Sequence, residues 1–380
     1  MIVNLADYRR QAQRALPTFV FDYVDGGADD ERTLMNNRAA FDRWQFVAPM
    51  LKDASVRSLA VQLGDTALAA PFLIAPTGYN GMLRYRADQM LAQAAEHAGI
   101  TYIQSTVSTA ALEEIPCSRT GARWFQLYVL KDRQVTVDLL RRVKEMGCTN
   151  LVVSVDAVHF GNRERDKRHY RKPMKLSLAS YLNVARHPGW VLRTLVPGGM
   201  PGFGNLKPYL PPQYRRGVGG ATYFAQQMDD SLNWQTLAWI RSLWQGALYV
   251  KGILTVEDAK AALALGADGL MLSNHGGRQL DGSVCPLTVL PEIRRACGST
   301  ARILIDSGIR RGTDVVKALA LGANAVLVGR PMLYAVAAEG EAGVAQAITL
   351  LTQEIDRTLA QLGCCSLAEL GPHLLCRCEN

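Results

Sequence analysis

The sequence predicts an α/β protein, a (β/α)8 TIM barrel. Three observations support this: eight short apolar runs, helix-compatible stretches between them, and polar residues where the runs end. The runs are Pro71–Ala75, Thr101–Gln104, Trp124–Tyr128, Leu151–Val155, Ala247–Lys251, Gly269–Ser273, Arg302–Asp306 and Ala325–Gly329. They are nearly continuously apolar, as strands of a parallel sheet buried on both faces must be. Ala87 to Ala98, Gln134 to Met146, Val256 to Leu265 and Thr313 to Leu321 read as the intervening helices. Eight such alternations are the number that closes a barrel. An internal echo supports the repeat. Ala261-Ala-Leu-Ala-Leu-Gly-Ala-Asp-Gly-Leu and Ala318-Leu-Ala-Leu-Gly-Ala-Asn-Ala-Val share one helix, glycine stop and strand.

The 380 residues then divide as one domain over 1–380, with the barrel at about 71–340 and residues 1–70 as a mostly helical arm before it. With 48% hydrophobic and 20% charged residues, the composition is that of an ordinary globular protein with a core of normal size. The opening Met1-Ile-Val-Asn-Leu-Ala-Asp-Tyr does not read as a secretory signal, and no run of 18 apolar residues suggests a spanning helix. Eight scattered cysteines, including Cys117, read as reduced thiols of a cytosolic enzyme. The C-terminal group of Cys364, Cys365, His373, Cys376 and Cys378 could hold a metal or a redox couple, but its spacing matches no standard motif, so no metal is assigned.

Charge is unevenly placed. From Lys167 to Met228 there is no Asp or Glu, while Lys167, Arg168, Arg171, Lys172, Lys175, Arg186, Arg193, Lys207, Arg215 and Arg216 give that segment +10. The net charge is +8, so the remainder sums to −2. The segment follows the fourth strand and is expected to be an insertion there, over about 167–228. Leu176 to Val196 mixes apolar and basic residues, with Tyr181 and Trp190 as interface-type aromatics. A helix of this kind can lie on an anionic bilayer, where each basic residue contributes on the order of 1 kcal/mol. A solvated loop or a subunit contact is the competing reading. No nucleic-acid-reading module accompanies the charge.

Reactive groups of such barrels sit at the C-terminal strand ends. Here those ends carry Asp156, Lys251, Ser273-Asn-His-Gly-Gly-Arg-Gln279, Asp306-Ser-Gly-Ile-Arg-Arg-Gly312 and Gly329-Arg330. The last two clusters suit a phosphate, because glycines admit backbone N–H groups and Arg310 and Arg330 add charge. His275 and Arg278 place a base beside a cation that can clamp a carboxylate. Asp156 could stabilise the imidazolium that forms.

These motifs resemble the FMN-dependent L-2-hydroxy-acid dehydrogenase and oxidase family. Ser273-Asn-His-Gly-Gly-Arg-Gln279 carries the likeness, joined by Tyr23 in Phe-Asp-Tyr-Val-Asp-Gly-Gly-Ala, Ala75-Pro-Thr-Gly78, Trp124-Phe-Gln-Leu-Tyr128, Asp156 with Arg163, and Val250-Lys-Gly252. The resemblance implies FMN as cofactor and oxidation of an L-2-hydroxy acid to the 2-keto acid. It implies His275 as base with Asp156 its partner, Arg163 and Arg278 on the substrate carboxylate, and Tyr23 and Tyr128 hydrogen-bonded to substrate. Lys251 would stabilise charge at the pyrimidine end of the reduced flavin. Pro76, Thr77, Gly78, Ser105, Gln126, Ser154 and Ser273 would contact the isoalloxazine. Asp306 would hold the ribityl chain, and Gly308, Arg310, Gly329 and Arg330 the phosphate.

Some positions depart from the common pattern. Val158 stands where proline is frequent, Ser154 replaces Thr, and Gly78 stands where oxidases usually carry alanine. Gly78 and the insertion together resemble the membrane-associated dehydrogenases. That implies a peripheral enzyme on the cytoplasmic face of the inner membrane, docked through residues 167–228, passing electrons to a quinone or other acceptor of the respiratory chain. It also implies a homo-oligomer, a tetramer. Gly161-Asn-Arg-Glu-Arg-Asp and Gln227-Met-Asp-Asp-Ser-Leu-Asn-Trp look most like mandelate dehydrogenase. Val107 in a small-residue loop and Phe160 suit an aromatic or larger side chain. L-lactate is the alternative substrate and O2 the alternative acceptor. A Schiff-base lyase using Lys251, or a membrane-docking protein with a vestigial site, are competing classes.

Overall fold

The computed structural model describes residues 1–115, 122–172, 175–215 and 219–378; Cys117 and Arg216 lie outside the described residues. Eight parallel strands form the central sheet: β1 (Phe72–Ile74), β2 (Ile103–Ser105), β3 (Arg123–Leu127), β4 (Cys148–Ser154), β5 (Ala247–Ile253), β6 (Gly269–Leu272), β7 (Arg302–Ile305) and β8 (Ala325–Val328). Each strand pairs with its sequence neighbours, and β8 pairs with β1 in the register Val326–Phe72, Leu327–Leu73, Val328–Ile74. A parallel bridge between Ile74 and Tyr102 closes the ring. All eight expected strands are present, shifted by a few residues at their ends. Lys251 lies inside β5 rather than at its end.

Alternation along the strands divides the core. Leu73, Ile103, Trp124, Val152, Tyr249, Met271, Leu304 and Ala325 fill the barrel interior. Their neighbours pack outward on helices such as Ala87–His97, Arg133–Glu145, Val256–Ala264 and Gly312–Ala320. A hairpin, Val61–Leu63 with Thr66–Leu68, closes the lower end, and the Trp124 indole donates to the Thr66 hydroxyl at 3.0 Å. The arm is helical as expected: α1 (Leu5–Ala15), α2 (Thr18–Asp25) and α3 (Arg32–Asp42). Asn4 opens α1 with a capping box to Asp7, which satisfies otherwise orphaned N–H groups. The C-terminal strand Leu375–Arg377 returns to pair antiparallel with Trp44–Phe46.

The basic segment, expected to leave the fold as one excursion, divides in two. Its first half holds a helix, Leu178–Ala185, and a helical stretch near 188–198. Leu178, Tyr181, Leu182, Leu192 and Val196 are all exposed there. Trp190 does not join them. It is buried edge-on against Phe19, with its indole N–H donated to the Met82 carbonyl at 2.9 Å. A buried indole needs both packing and an acceptor, and the arm and the first βα loop supply them. The second half lies on the barrel: Phe203, Leu206, Leu210 and Phe224 are buried core residues. Asn205, fully buried, accepts from the Leu112 N–H and donates to the Ser105 carbonyl. The C-terminal thiols are dispersed, with Cys364 buried and Cys376 exposed.

Candidate active site

The C-terminal ends of the strands open on a cleft of about 160 Å³, with the arm as its roof. His275 stands on one wall in a left-handed conformation (φ 58°), followed by Gly276 and Gly277, also left-handed. Successive positive φ values turn the chain sharply, a conformation that glycine takes freely and a side chain only at about 1–3 kcal/mol. A Cβ on Gly277 would meet the Leu34 backbone nitrogen at 2.7 Å, so the turn is also pressed against α3. The Ser273 hydroxyl accepts from the His275 N–H at 2.9 Å and fixes the start of this turn.

The imidazole lies between two partners. Its Nδ1 is 3.0 Å from Asp156 Oδ1, and its Nε2 is 3.1 Å from the Tyr128 hydroxyl. Burial drives the imidazole below its ordinary range; Asp156 opposes this, and Lys251 adds to it. Neutral His275 is therefore the resting form, a base with one nitrogen facing the cleft. Burial would raise the Asp156 carboxyl, but His275 and Lys251 together hold it below the carboxylate range. Asp156 sits behind His275, off the cleft wall.

Two guanidinium groups reach the same cleft. Arg163 lies over the Phe160 ring at 5.5 Å and Arg278 over the Tyr23 ring at 5.3 Å. Arg278 donates to the Gly26 carbonyl at 2.8 Å, while Arg163 Nε is buried without a partner. Burial first, then the neighbouring Arg278, push Arg163 down to about 10. Two like charges held together with an unspent donor call for an anion between them. Tyr23 donates its hydroxyl to the Gly78 carbonyl at 3.1 Å, tying the arm to the β1 loop.

The opposite end carries two more arginines that form no salt bridge among the described residues. Arg310 and Arg330 are half-buried, and desolvation is the main force lowering both, Arg330 to about 9. Arg330 is held by the carbonyls of Val24, Gly26 and Gly276, and Arg310 by its neighbour Ile309. Gly308, at φ 108°, abuts the Asn37 carbonyl, where no Cβ fits. Lys251 donates to Ser273 at 2.8 Å and pairs with Asp306 at 3.1 Å. Burial would lower the lysine, yet Asp306 and Asp156 raise it, so it stays charged.

Pro76, Thr77, Gly78, Lys251, Asp306, Gly308, Arg310, Gly329 and Arg330 all line the cleft, as do Tyr23, Tyr128, Phe160, Arg163, His275 and Arg278. Ser105, Gln126, Ser154 and Ser273 do not. The first three form a buried chain below the floor, Ser105 to Gln126 at 2.7 Å and Gln126 to Ser154 at 3.1 Å, and Ser273 is bonded to Lys251. Several participants escaped the sequence reading. Asn37 and Asn274 pair side chain to side chain across 237 positions and brace the histidine loop, a contact no local pattern announces. Ser307 (φ 71°) donates to Asp306 at 2.7 Å. Among the described residues, no group of three or more His, Cys, Asp or Glu could hold a metal ion.

FMN fits this cleft. Half-buried Arg310 and Arg330, in none of the salt bridges among the described residues, suit a phosphate, the Thr77 hydroxyl is buried without a partner, and a charged lysine lies on the floor.

The comparisons agree. A family model described as FMN-dependent dehydrogenase matches residues 12–377. The chain is 44% identical to (S)-mandelate dehydrogenase of Pseudomonas putida over 98% of its length and 94% of that protein's. It is 39% identical to L-lactate dehydrogenase of Pseudomonas syringae pv. syringae over 99% of its length and 98% of that protein's. Among solved structures, monotopic membrane protein (S)-mandelate dehydrogenase superposes with a TM-score of 0.92 at 42% identity, covering 99% of both chains. Mandelate oxidase with (S)-4-hydroxymandelic acid follows at 0.84 and 34%, covering 99% of this chain and 98% of that one. The chain belongs to the FMN-dependent dehydrogenase family.

Proposed function

We propose that the protein oxidises an L-2-hydroxy acid with an aromatic or other large side chain to the 2-keto acid, from a peripheral position on the cytoplasmic face of the inner membrane, and delivers the electrons to a quinone of the respiratory chain. The observation that carries the reaction is the meeting, in one cleft, of a neutral histidine backed by a carboxylate and two partner-poor arginines.

The residues divide the work. Arg163 and Arg278 bind the substrate carboxylate, and their fixed forks orient the carbon that carries the hydroxyl. His275 Nε2 takes a proton from that centre, with Tyr128 donating a hydrogen bond beside it. Asp156 holds Nδ1 and stabilises the imidazolium as it forms. Thr77, Gly78, Asp306, Arg310 and Arg330 would hold FMN, and the charged Lys251 would stabilise negative charge on the reduced flavin. Bound FMN supplies the acceptor for the two electrons that leave the substrate. Ser105, Gln126 and Ser154 would support it through their buried hydrogen-bonded chain.

Membrane attachment rests on the exposed Leu178, Tyr181, Leu182, Leu192 and Val196 beside exposed Arg186 and Arg193. Among the described residues, no helix is long and apolar enough to cross a membrane. A face of this kind suits a protein that lies on a bilayer.

Anaerobic absorbance tests the reading directly. (S)-Mandelate is expected to bleach the flavin faster than L-lactate. The His275→Ala variant should stay yellow and lose at least about a hundredfold in reduction rate. A variant reduced at the normal rate would remove His275 as the base. Faster bleaching by L-lactate would reverse the substrate ranking.

A further inference from the structure

Behind the substrate end of the cleft runs a belt of aromatic rings, of which Tyr79, Phe203 and Phe224 take no part in the mechanism. Tyr23 meets Tyr79 at 6.4 Å, Tyr79 meets Phe203 at 5.3 Å, and Phe203 meets Phe224 at 5.8 Å. Phe224 then touches both residues that face the substrate side, Tyr128 at 6.0 Å and Phe160 at 6.2 Å. Phe203 and Phe224 come from the basic insertion, on its barrel-facing half, and both are buried. Neither lines the cleft.

Phe224 thus backs two walls of unequal stiffness. Tyr128 is buried at the end of β3 and bonded to His275, so it has little freedom. Phe160 is 38% exposed on the loop after β4, held by stacking on Arg163 and packing on Phe224. Of the two, Phe160 is the wall that moves if its backing changes.

We infer that Phe224 is a positioning residue that sets the depth of the pocket for the substrate's side chain, by fixing how far Phe160 stands from Tyr128. This rests on the 2-hydroxy-acid reading above and adds the residue that selects among such acids. A shorter side chain at 224 lets Phe160 retreat and admits a longer aryl group. A larger one pushes Phe160 inward and excludes it. The substrate's carboxylate and hydroxyl keep their partners in both cases, so selectivity changes in KM more than in kcat.

The test compares L-lactate with a para-substituted (S)-mandelate, using the full-length flavin-loaded enzyme and an artificial electron acceptor. Phe224→Ala should raise the ratio of kcat/KM for the bulky acid over that for lactate about tenfold, through KM. Phe224→Trp should lower the same ratio, and Phe224→Leu should fall between Ala and wild type. Opposite signs for Ala and Trp are the signature, because a merely structural role moves both variants the same way. Equal losses for both acids, or an unchanged ratio in Phe224→Trp, would overturn the inference. Phe224→Trp and Phe224→Leu keep the test decisive if Phe224→Ala does not fold. Wild-type flavin that no 2-hydroxy acid bleaches would sink the underlying reading instead, and that result is visible before any variant is made.

Discussion

The two halves of the basic insertion share one composition and have opposite fates. Both lack acidic residues, both mix apolar with basic side chains, and both are broken by proline and glycine. In the first half, Leu178, Tyr181, Leu182, Leu192 and Val196 stand 58–67% exposed. In the second, Phe203, Leu206, Leu210, Phe224 and Met228 are 5% exposed or less. The difference lies in what each half meets. The second lies on the β2 and β3 loops, where Asn205 and the aromatic belt give it partners. The first touches the fold through His169, Asn183, Trp190 and Thr194, with Val184, Val191 and Leu195 half-buried against the core, and leaves one apolar face uncovered. Exposed apolar surface bordered by cations is what an anionic bilayer would cover; buried aromatic surface is what a substrate pocket needs behind it.

The largest expected effect separates the halves by partition. Replacing Leu178, Tyr181, Leu182, Leu192 and Val196 together with Ser, Asn or Gln keeps Trp190 and the whole second half in place. Each apolar side chain buried in a bilayer is worth roughly 1.5–3 kcal/mol at full burial. Cosedimentation with anionic vesicles should therefore fall at least about a hundredfold, while flavin reduction with an artificial acceptor stays normal. A variant that still sediments would break the division. Deleting all of 167–228 is a poorer experiment, because it also removes core residues.

Stability should divide the same way. Leu206→Ala empties a site 1% exposed and should cost about 2–5 kcal/mol. Leu192→Ala, at a site 63% exposed, should stay within about 0.5 kcal/mol. Urea midpoints of the two variants decide the matter. Similar losses would mean that the first half is as much a part of the core as the second.

The strands were legible because the barrel demands continuous apolar runs, and little else in a chain of this length imitates eight of them. The site was legible for a related reason. His275, Arg278, Asp306, Arg310 and Arg330 fall at strand ends, where polar residues break an apolar pattern. Residues that act from behind were not. Asn37 and Asn274 are far apart in sequence, and Phe203 and Phe224 carry the same apolar character as the exposed Leu178 and Leu182. Trp190 was misread for that reason. Composition says that an aromatic residue wants to leave water, but not whether protein or lipid receives it.

Charge gives a smaller contrast. Arg186 and Arg193 flank the exposed face, and removing either with Gln should weaken binding to anionic vesicles by on the order of 1 kcal/mol, about fivefold. The loss should shrink as salt rises, since these cations act through water. Lys207→Gln, in the second half, should change vesicle binding less. An equal effect from Lys207 would extend the membrane surface onto the barrel-facing half.

The smallest expected effect is none, and it is the sharpest comparison of the two halves. The proposed base is neutral His275, whose folded pKa lies below the usual 6.5 because burial outweighs Asp156. Acidification protonates it, so kcat/KM for flavin reduction should hold down to pH 6.5 and fall only below it. The five-residue polar variant of the exposed face should trace the same acid limb. Its substitutions touch none of Asp156, Lys251 and Arg163, whose charges act on the imidazole. A displaced limb in that variant would mean that the exposed half reaches His275 through the packed half, and the two could no longer be treated as separate devices.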